Sequence, residues 1–304
     1  MRSFLRSALF IVLIPVSVLG IWIVALNLGA NSLLRRRRPD PSDPPSNYGI
    51  DFEEVHFPSR DGLNLVGWWI PHDNALGTII MCHGQNGSMD GDTRQMPPLH
   101  EAGFNVLMFD FRAHGRSEGE SVTMGMYEKE DLLGAIDFLG TQYGVTEIGL
   151  LGFSMGAATA LIATALSDRV CAVVADSSFG RLKRTLAAHS VQRGIPAFIV
   201  RPVIDWVVNL ASIRTEGRLD QIDPVRWTVH TRKRPILFIQ GRRDHLVSRR
   251  DLKKMANRAP GFTEIWLVEG AGHREAYDVN PDEYNRRVVM WFKTYLVNSE
   301  RIVA

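Results

Sequence analysis

The apolar positions of this 304-residue chain fall into short continuous runs that alternate with longer segments of mixed polarity. Runs of about six apolar residues are typical of parallel strands that helices cover on both faces. Six such runs occupy residues 78–82, 105–109, 146–151, 170–175, 235–240 and 263–268. Helical patterns lie between or after them, at residues 93–102, 126–140, 155–166, 249–259 and 282–297. Together with an antiparallel hairpin predicted at residues 53–57 and 63–70, this predicts a mostly parallel eight-stranded sheet with helices on both faces.

The amino terminus has a different pattern, because residues 7–34 contain no charged side chain and residues 8–28 are almost wholly apolar. A helix of that length measures about 31 Å, the thickness of the hydrocarbon core of a bilayer. The sequence therefore predicts a transmembrane anchor within residues 1–34. A cleaved signal peptide ending near Leu28-Gly29-Ala30 is the alternative, although its apolar core is usually only ~7–15 residues long.

A basic and proline-rich segment, residues 35–49, follows the predicted anchor and is interpreted as an extended tether. It begins with the four arginines 35–38, whereas only Arg2 and Arg6 precede the apolar run. Under the positive-inside rule this asymmetry favours a membrane protein whose main domain lies on the cytoplasmic face.

Residues 50–298 contain all the predicted strands and are expected to form one domain. Between the runs that end at 175 and start at 235 lie about sixty residues, far more than a simple crossover needs. The sequence predicts that residues 179–233 form a helical cap or lid over the carboxyl ends of the strands. An ordinary outer helix with long loops is the alternative.

Composition excludes several classes of protein. A net charge of +2 argues against a dedicated nucleic-acid binder. Cys82 and Cys171 both lie in apolar runs, which favours buried reduced thiols over a disulfide framework. The chain has no zinc-ligand or phosphate-loop motif, and no cofactor is predicted.

The strongest chemical motif is the pentapeptide from Gly152 to Gly156, Gly-Phe-Ser-Met-Gly, which stands between a strand-like and a helix-like run. A serine hydroxyl becomes a useful nucleophile when it is held out from the backbone, beside a base and free amide donors. A sharp turn from strand to helix provides this position, provided that the flanking residues are nearly bare. We therefore predict that Ser154 is a nucleophile.

Two candidate partners follow later strands directly. Asp244 comes just after the run 235–240, and His273 follows the run 263–268 on a glycine-rich loop. Because parallel strands end at one edge of the sheet, both are expected to lie near Ser154, with His273 as base and Asp244 as acid. Asp176, at the end of the run 170–175, is a rival acid.

An oxyanion hole needs two backbone N–H donors. Met155 follows the serine at the start of the helix and is the first candidate. The loop that starts at His83 and Gly84 follows the run 78–82, and Gln85 in this loop is the second candidate.

These motifs resemble those of the α/β-hydrolases across residues ~50–298. The Ser, Asp, His order matches that superfamily, as does the start of the His83-Gly84 loop. The segment from Asp110 to Ser117 is similar to its D-x-R-G-H-G-x-S turn, with Ala113 in place of the usual glycine. The chain looks most like the monoacylglycerol-lipase-like and serine-aminopeptidase-like esterases.

The resemblance implies a membrane-tethered serine hydrolase that cleaves acyl or lipid-like carboxylic esters through an acyl-enzyme on Ser154. The expected partners are a small-molecule or lipid acyl ester and the membrane, with no nucleic acid. A serine peptidase or thioesterase with the same triad is an alternative. A non-catalytic binding protein on a hydrolase scaffold is another.

Overall fold

One eight-stranded sheet organises the molecule, for which a computed structural model describes residue 17 and residues 20–297. The strands are β1 (Glu53–Pro58), β2 (Asn64–Ile70), β3 (Gly77–Cys82), β4 (Phe104–Phe109), β5 (Ile148–Phe153), β6 (Val170–Asp176), β7 (Ile236–Gly241) and β8 (Thr263–Val268). Their spatial order is β1-β2-β4-β3-β5-β6-β7-β8. Strand β2 pairs antiparallel with both β1 and β4, and the remaining neighbours are parallel. The predicted mostly parallel sheet is therefore confirmed.

Helices cover both faces of this sheet. They are α1 (20–34), α2 (Pro97–Glu101), α3 (Glu128–Tyr143), α4 (Met155–Leu166), α5 (Leu182–Gln192), α6 (Ala197–Arg214), α7 (Pro224–Trp227), α8 (Arg249–Arg258), α9 (Ala276–Val279) and α10 (Pro281–Tyr295). Along β3, Ile80 belongs to the core beneath α3 and α4, whereas Ile79 and Met81 belong to the core beneath α2 and α10. Successive strand residues point to opposite faces, so a strand covered on both sides is apolar throughout.

The helix predicted at 93–102 differs from the observed α2. Residues Met89–Gln95 form a 3-10 helix, and the α-helix itself begins only at Pro97. Proline is favoured in the first helical turn because it has no N–H to donate there. The pair Pro97-Pro98 therefore marks the start of this helix, which the apolar pattern placed four residues too early.

Between β6 and β7 the chain forms α5, α6 and α7, with short 3-10 turns. The inner side of α6 is buried through Val200, Ile204, Val207, Val208 and Ala211. This helical insertion occupies the interval in which the sequence predicts a cap.

The predicted transmembrane anchor falls mostly on residues 1–16, 18 and 19, which lie outside the described residues. Among residue 17 and residues 20–297, no helix combines the length and the apolar character needed to cross a bilayer. Helix α1 buries Ala30, Leu33 and Leu34 in the core of the domain. The membrane anchor and its orientation stay predictions.

The segment predicted as a tether makes specific contacts with the domain. The guanidinium of Arg36 donates hydrogen bonds to the backbone carbonyls of Gly115, Ser117 and Gly119. The carboxylate of Asp40 accepts a 2.7 Å hydrogen bond from the backbone N–H of Ser88. Residues 36–40 therefore lie against the loops that follow β3 and β4.

Candidate active site

Ser154 stands at the sharp turn between β5 and α4. Its backbone angles, φ 51° and ψ −107°, lie in a region that side-chain-bearing residues rarely adopt. The turn depends on Gly156, because a Cβ there would lie 2.0 Å from the carbonyl oxygen of Cys82. A Cβ on Gly152 would likewise meet the backbone nitrogen of Ala157 at 2.6 Å. Both glycines are thus required by close backbone approach, as the sequence motif predicts.

The structure brings Ser154, His273 and Asp244 into one hydrogen-bonded chain. Ser154 Oγ lies 3.0 Å from His273 Nε2, and His273 Nδ1 lies 2.8 Å from Asp244 Oδ2. Asp244 Oδ1 accepts hydrogen bonds from the backbone N–H groups of Leu246 at 2.8 Å and Val247 at 3.0 Å. The Asp244 side chain is fully buried. Because the carboxylate accepts from Nδ1–H, it leaves Nε2 unprotonated and directed at the serine hydroxyl.

The rival acid, Asp176, makes different contacts. Its carboxylate accepts hydrogen bonds from Ser177 Oγ at 2.9 Å and from the hydroxyl of Tyr284 at 3.0 Å. Burial raises the pKa of Asp176 to about 6. Its backbone carbonyl accepts a 2.8 Å hydrogen bond from the Ser154 N–H, so Asp176 supports the turn through its main chain.

One candidate oxyanion donor follows the serine in the chain, and the other lies on the loop after β3, the strand that pairs with β5. Met155 is the first residue of α4, and Gln85 follows Gly84 just beyond β3. The imidazole of His114 holds the Gln85 peptide, with Nε2 2.8 Å from its carbonyl oxygen. His83 Nε2 accepts a 2.9 Å hydrogen bond from the backbone N–H of Phe111. These two buried histidines therefore join the Gln85 loop to the turn after β4.

Burial, followed by the neighbouring His114, holds the pKa of His83 well below its usual range. His83 is consequently neutral, and Nδ1–H donates to the carbonyl of Gly84 at 2.8 Å. The part of the chain that the structure describes contains no group of three or more His, Cys, Asp or Glu side chains suited to holding a metal ion.

Comparison with known proteins identifies this architecture. Residues 77–195 match the family described as the alpha/beta hydrolase fold. The chain has an α/β-hydrolase fold.

This hydrolase fold is similar to a solved structure, the esterase Pf2001 of Pyrococcus furiosus, at a TM-score of 0.74 and 28% identity, covering 87% of this chain and 98% of that one. Among curated proteins it is similar to the uncharacterized protein YfhR of Escherichia coli strain K12, 29% identical over 255 residues, covering 80% of this chain and 82% of YfhR. It is also similar to the uncharacterized protein YqkD of Bacillus subtilis, 28% identical over 237 residues, covering 76% of each chain.

Sequence reasoning missed Arg274, which follows His273 directly and is partly buried within this hydrolase fold, with 31% of its side chain exposed. Its guanidinium pairs with the buried carboxylate of Asp92 and lies 5.1 Å from the centre of the Phe153 ring. A Cβ on Gly84 would lie 2.8 Å from Arg274 Nη1, so the guanidinium packs against the Gln85 loop. Arg274 thereby connects the loop that holds His273 with the loop that holds Gln85. An arginine on an otherwise glycine-rich loop was the signal available in the sequence.

A polar cavity of about 370 Å³ opens beside His273. The helical insertion reaches it through Gln192, at the end of α5. The other lining side chains come from the loops after β7 and β8: Arg243, His245, Leu246 and Glu275, with Gly270 and Gly272.

Proposed function

We propose that this protein is a serine hydrolase that cleaves carboxylic esters, with Ser154 as nucleophile, His273 as base and Asp244 as the acid that orients it. The proposal rests on a chain of two hydrogen bonds. Ser154 Oγ lies 3.0 Å from His273 Nε2, and His273 Nδ1 lies 2.8 Å from Asp244 Oδ2. The α/β-hydrolase fold and its likeness to the esterase Pf2001 of Pyrococcus furiosus, at 28% identity, support a hydrolase.

The proposed reaction follows from these contacts. His273 Nε2 removes the hydroxyl proton as Ser154 Oγ attacks the ester carbonyl carbon, and the carbonyl oxygen becomes an oxyanion. The backbone N–H groups of Met155 and Gln85 would stabilise this charge. His273 then returns the proton to the departing alkoxide, leaving an acyl group on Ser154. Water, deprotonated by the same imidazole, attacks the acyl-enzyme and releases the carboxylic acid and free Ser154.

For the substrate we propose an acyl or lipid-like ester. The apolar amino terminus, with its predicted membrane anchor, and the helical insertion α5–α6 beside the polar cavity support this choice. An enzyme held at a membrane meets esters of low water solubility at high local concentration. The same triad also serves peptidases and thioesterases, so the substrate class needs its own assay.

A fluorophosphonate probe tests the nucleophile, because it forms a covalent bond only with an activated serine. We expect the full-length protein to be labelled, and Ser154→Ala to abolish the labelling. Ser178→Ala is the matched control, since that buried hydroxyl donates to the carbonyl of Phe179 and is expected to have no part in the reaction. Equal labelling of wild type and Ser154→Ala would refute the proposal that Ser154 is the nucleophile.

A panel of substrates with graded acyl chains tests the substrate class. Each chain length is offered as a nitrophenyl ester, a thioester and an aminoacyl amide, with Ser154→Ala as the background. We expect hydrolysis of the esters to exceed that of the amides at every chain length. Turnover of the amides alone, with all esters at background, would replace the esterase proposal by a peptidase.

A further inference from the structure

Helix α6 exposes an apolar surface on the side that faces away from the domain. Phe198 is 80% exposed, Trp206 65% and Ile213 74%, and Pro202 lies between them on the same side. Consecutive helical residues are about 100° apart, which places these four side chains within an arc of about 80° that also includes the exposed Asn209 and borders on the exposed Asp205. We call these four residues the α6 apolar face. A helix of a water-soluble domain normally buries its one apolar stripe, whereas α6 already buries another through Val207 and its neighbours.

The neighbouring helix α1 is apolar and exposed on all its sides near its amino end. Residues 21–24 (Ile-Trp-Ile-Val) are 41–69% exposed, although consecutive positions point in different directions around a helix. Further along α1, a Cβ on Gly29 would lie 2.8 Å from Val207 Cγ2, so α1 packs closely on α6. Val207 is next to Trp206 in sequence, about a quarter turn away around α6. Helix α1 therefore lies beside α6 on the side of Val207.

Positive charge accompanies this apolar surface. From Arg181 to Arg218 the chain carries seven arginine and lysine residues and two acidic ones. Four of the seven are paired with aspartates, Arg181 and Arg184 with Asp251, Lys183 with Asp205 and Arg218 with Asp220, which leaves Arg193, Arg201 and Arg214 without such a pair among the described residues. Beside α1 lies a groove of about 560 Å³ lined by Arg35, Arg36 and Arg214, with Glu120 as its acidic residue. The guanidinium of Arg36 is held by backbone carbonyls, and that of Arg214 by the side-chain oxygens of asparagines 27 and 31. Since these acceptors are neutral, neither contact cancels the positive charge.

We propose that the α6 apolar face rests on the surface of an anionic phospholipid bilayer, whose phosphate headgroups meet the arginine groove beside α1. Amphipathic helices bind in this way, with their apolar side chains among the acyl chains and their basic side chains at the headgroups. Tryptophan is favoured at that depth, which suits Trp206 and Trp22. Basic side chains also gain energy from the negative potential of an anionic leaflet, which a protein partner of ordinary composition would not provide. This inference stands apart from the proposed hydrolysis, because it involves none of the residues assigned to it.

A fluorescent label on α6 tests the contact in the full-length protein. In a Cys171→Ser background, Trp206→Cys carries an environment-sensitive dye, and Met290→Cys on α10 is the matched control, since Met290 is 51% exposed. Both proteins are reconstituted into vesicles of phosphatidylcholine with one third phosphatidylglycerol, containing lipids with a nitroxide on the acyl chain. We expect nitroxide quenching about threefold stronger or more at position 206 than at position 290. Fluorophosphonate labelling of the same preparations reports separately on Ser154.

Three outcomes would overturn the proposal. Equal nitroxide quenching at the two positions, with position 206 open to aqueous iodide, would mean that the α6 apolar face stays in water. Protection of position 206 from both quenchers, growing with protein concentration, would mean that a second copy of the chain covers it. Unchanged quenching of position 206 in vesicles of phosphatidylcholine alone, or after Arg35→Gln in the groove, would show that anionic headgroups play no part in the contact.

Discussion

Asp244→Asn is the sharpest test of the proposed triad, because the contacts of Asp244 dictate how an asparagine must sit there. One carboxylate oxygen accepts two backbone N–H bonds, from Leu246 and Val247, and the other accepts from His273 Nδ1. Asparagine has a single oxygen and must serve one of these two sites. Losing both buried backbone bonds would cost about 2–6 kcal/mol, more than losing the single bond to the imidazole. The carboxamide oxygen is therefore expected to stay with the backbone, and its NH₂ group to face His273.

That orientation changes the proton on the imidazole. An NH₂ donor beside His273 Nδ1 requires Nδ1 to accept, which places the proton on Nε2, opposite Ser154 Oγ. A protonated Nε2 cannot take the serine proton, so the base is lost while the geometry persists. We expect kcat to fall by about 10³–10⁴-fold, equivalent to about 4–5.5 kcal/mol of transition-state stabilisation. The measurement is the steady-state hydrolysis of a short-chain nitrophenyl ester, with Ser154→Ala as the floor.

Asp176→Asn is the matched control, since it makes the same change in the rival carboxylate. The partners of Asp176 are Ser177 and Tyr284, and its influence on His273 is through charge alone. We expect kcat to change by less than about tenfold. The reasoning would be refuted if Asp176→Asn lost as much activity as Asp244→Asn, or if Asp244→Asn retained activity within tenfold of wild type.

Three further predictions concern stability and are read from urea unfolding. Gly156→Ala should lower the free energy of unfolding by about 3 kcal/mol, because its Cβ meets Cys82 O at 2.0 Å; an unchanged midpoint would contradict this. Arg274→Met should cost about 3–5 kcal/mol by leaving Asp92 buried without its cation, and adding Asp92→Asn should recover part of the loss. Burial raises the pKa of Asp176 to about 6, so its contribution is complete below pH 4 and is lost as the pH rises through 6. Relative to Asp176→Asn, wild type should lose up to about 3 kcal/mol between pH 4 and 7, and parallel curves would contradict this.

The sheet and the positions of the candidate triad could be predicted from the sequence for the same reason. Strands β5 and β7 are buried throughout and β8 is partly buried, and all three are predominantly apolar, so their ends are visible in the sequence. Ser154, Asp244 and His273 each follow one of these ends. Because β5, β7 and β8 are parallel, their carboxyl ends meet at one edge of the sheet. Asp244 and Asp176 both follow a parallel strand, and the sequence favours Asp244 because its loop begins with a glycine, as is common for the acid of such a triad. The structure places Asp244 Oδ2 2.8 Å from His273 Nδ1.

Contacts between segments distant in sequence could not be predicted in this way. The pairing of Arg274 with Asp92 joins residues far apart along the chain, and neither residue belongs to an apolar period that would mark it as buried. The contacts of Arg36 with the turn after β4 are of the same kind. Composition predicts residues 35–49 to be an extended tether, whereas Pro45–Tyr48 form a 3-10 helix. Residues 36–40 lie against the domain because their donors and acceptors find matching partners there, which composition does not show.

The proposed triad and the cavity beside it are held by different parts of the molecule. The proposed catalytic side chains stand on strand ends, where backbone hydrogen bonds and close glycine contacts fix their positions whatever the outer helices do. The cavity beside His273 is bordered instead by Gln192 of α5, and α5 packs on α6, which in turn packs on α1. We therefore expect a change at the contact of Gly29 with Val207 to disturb the border of this cavity before it disturbs the proposed triad.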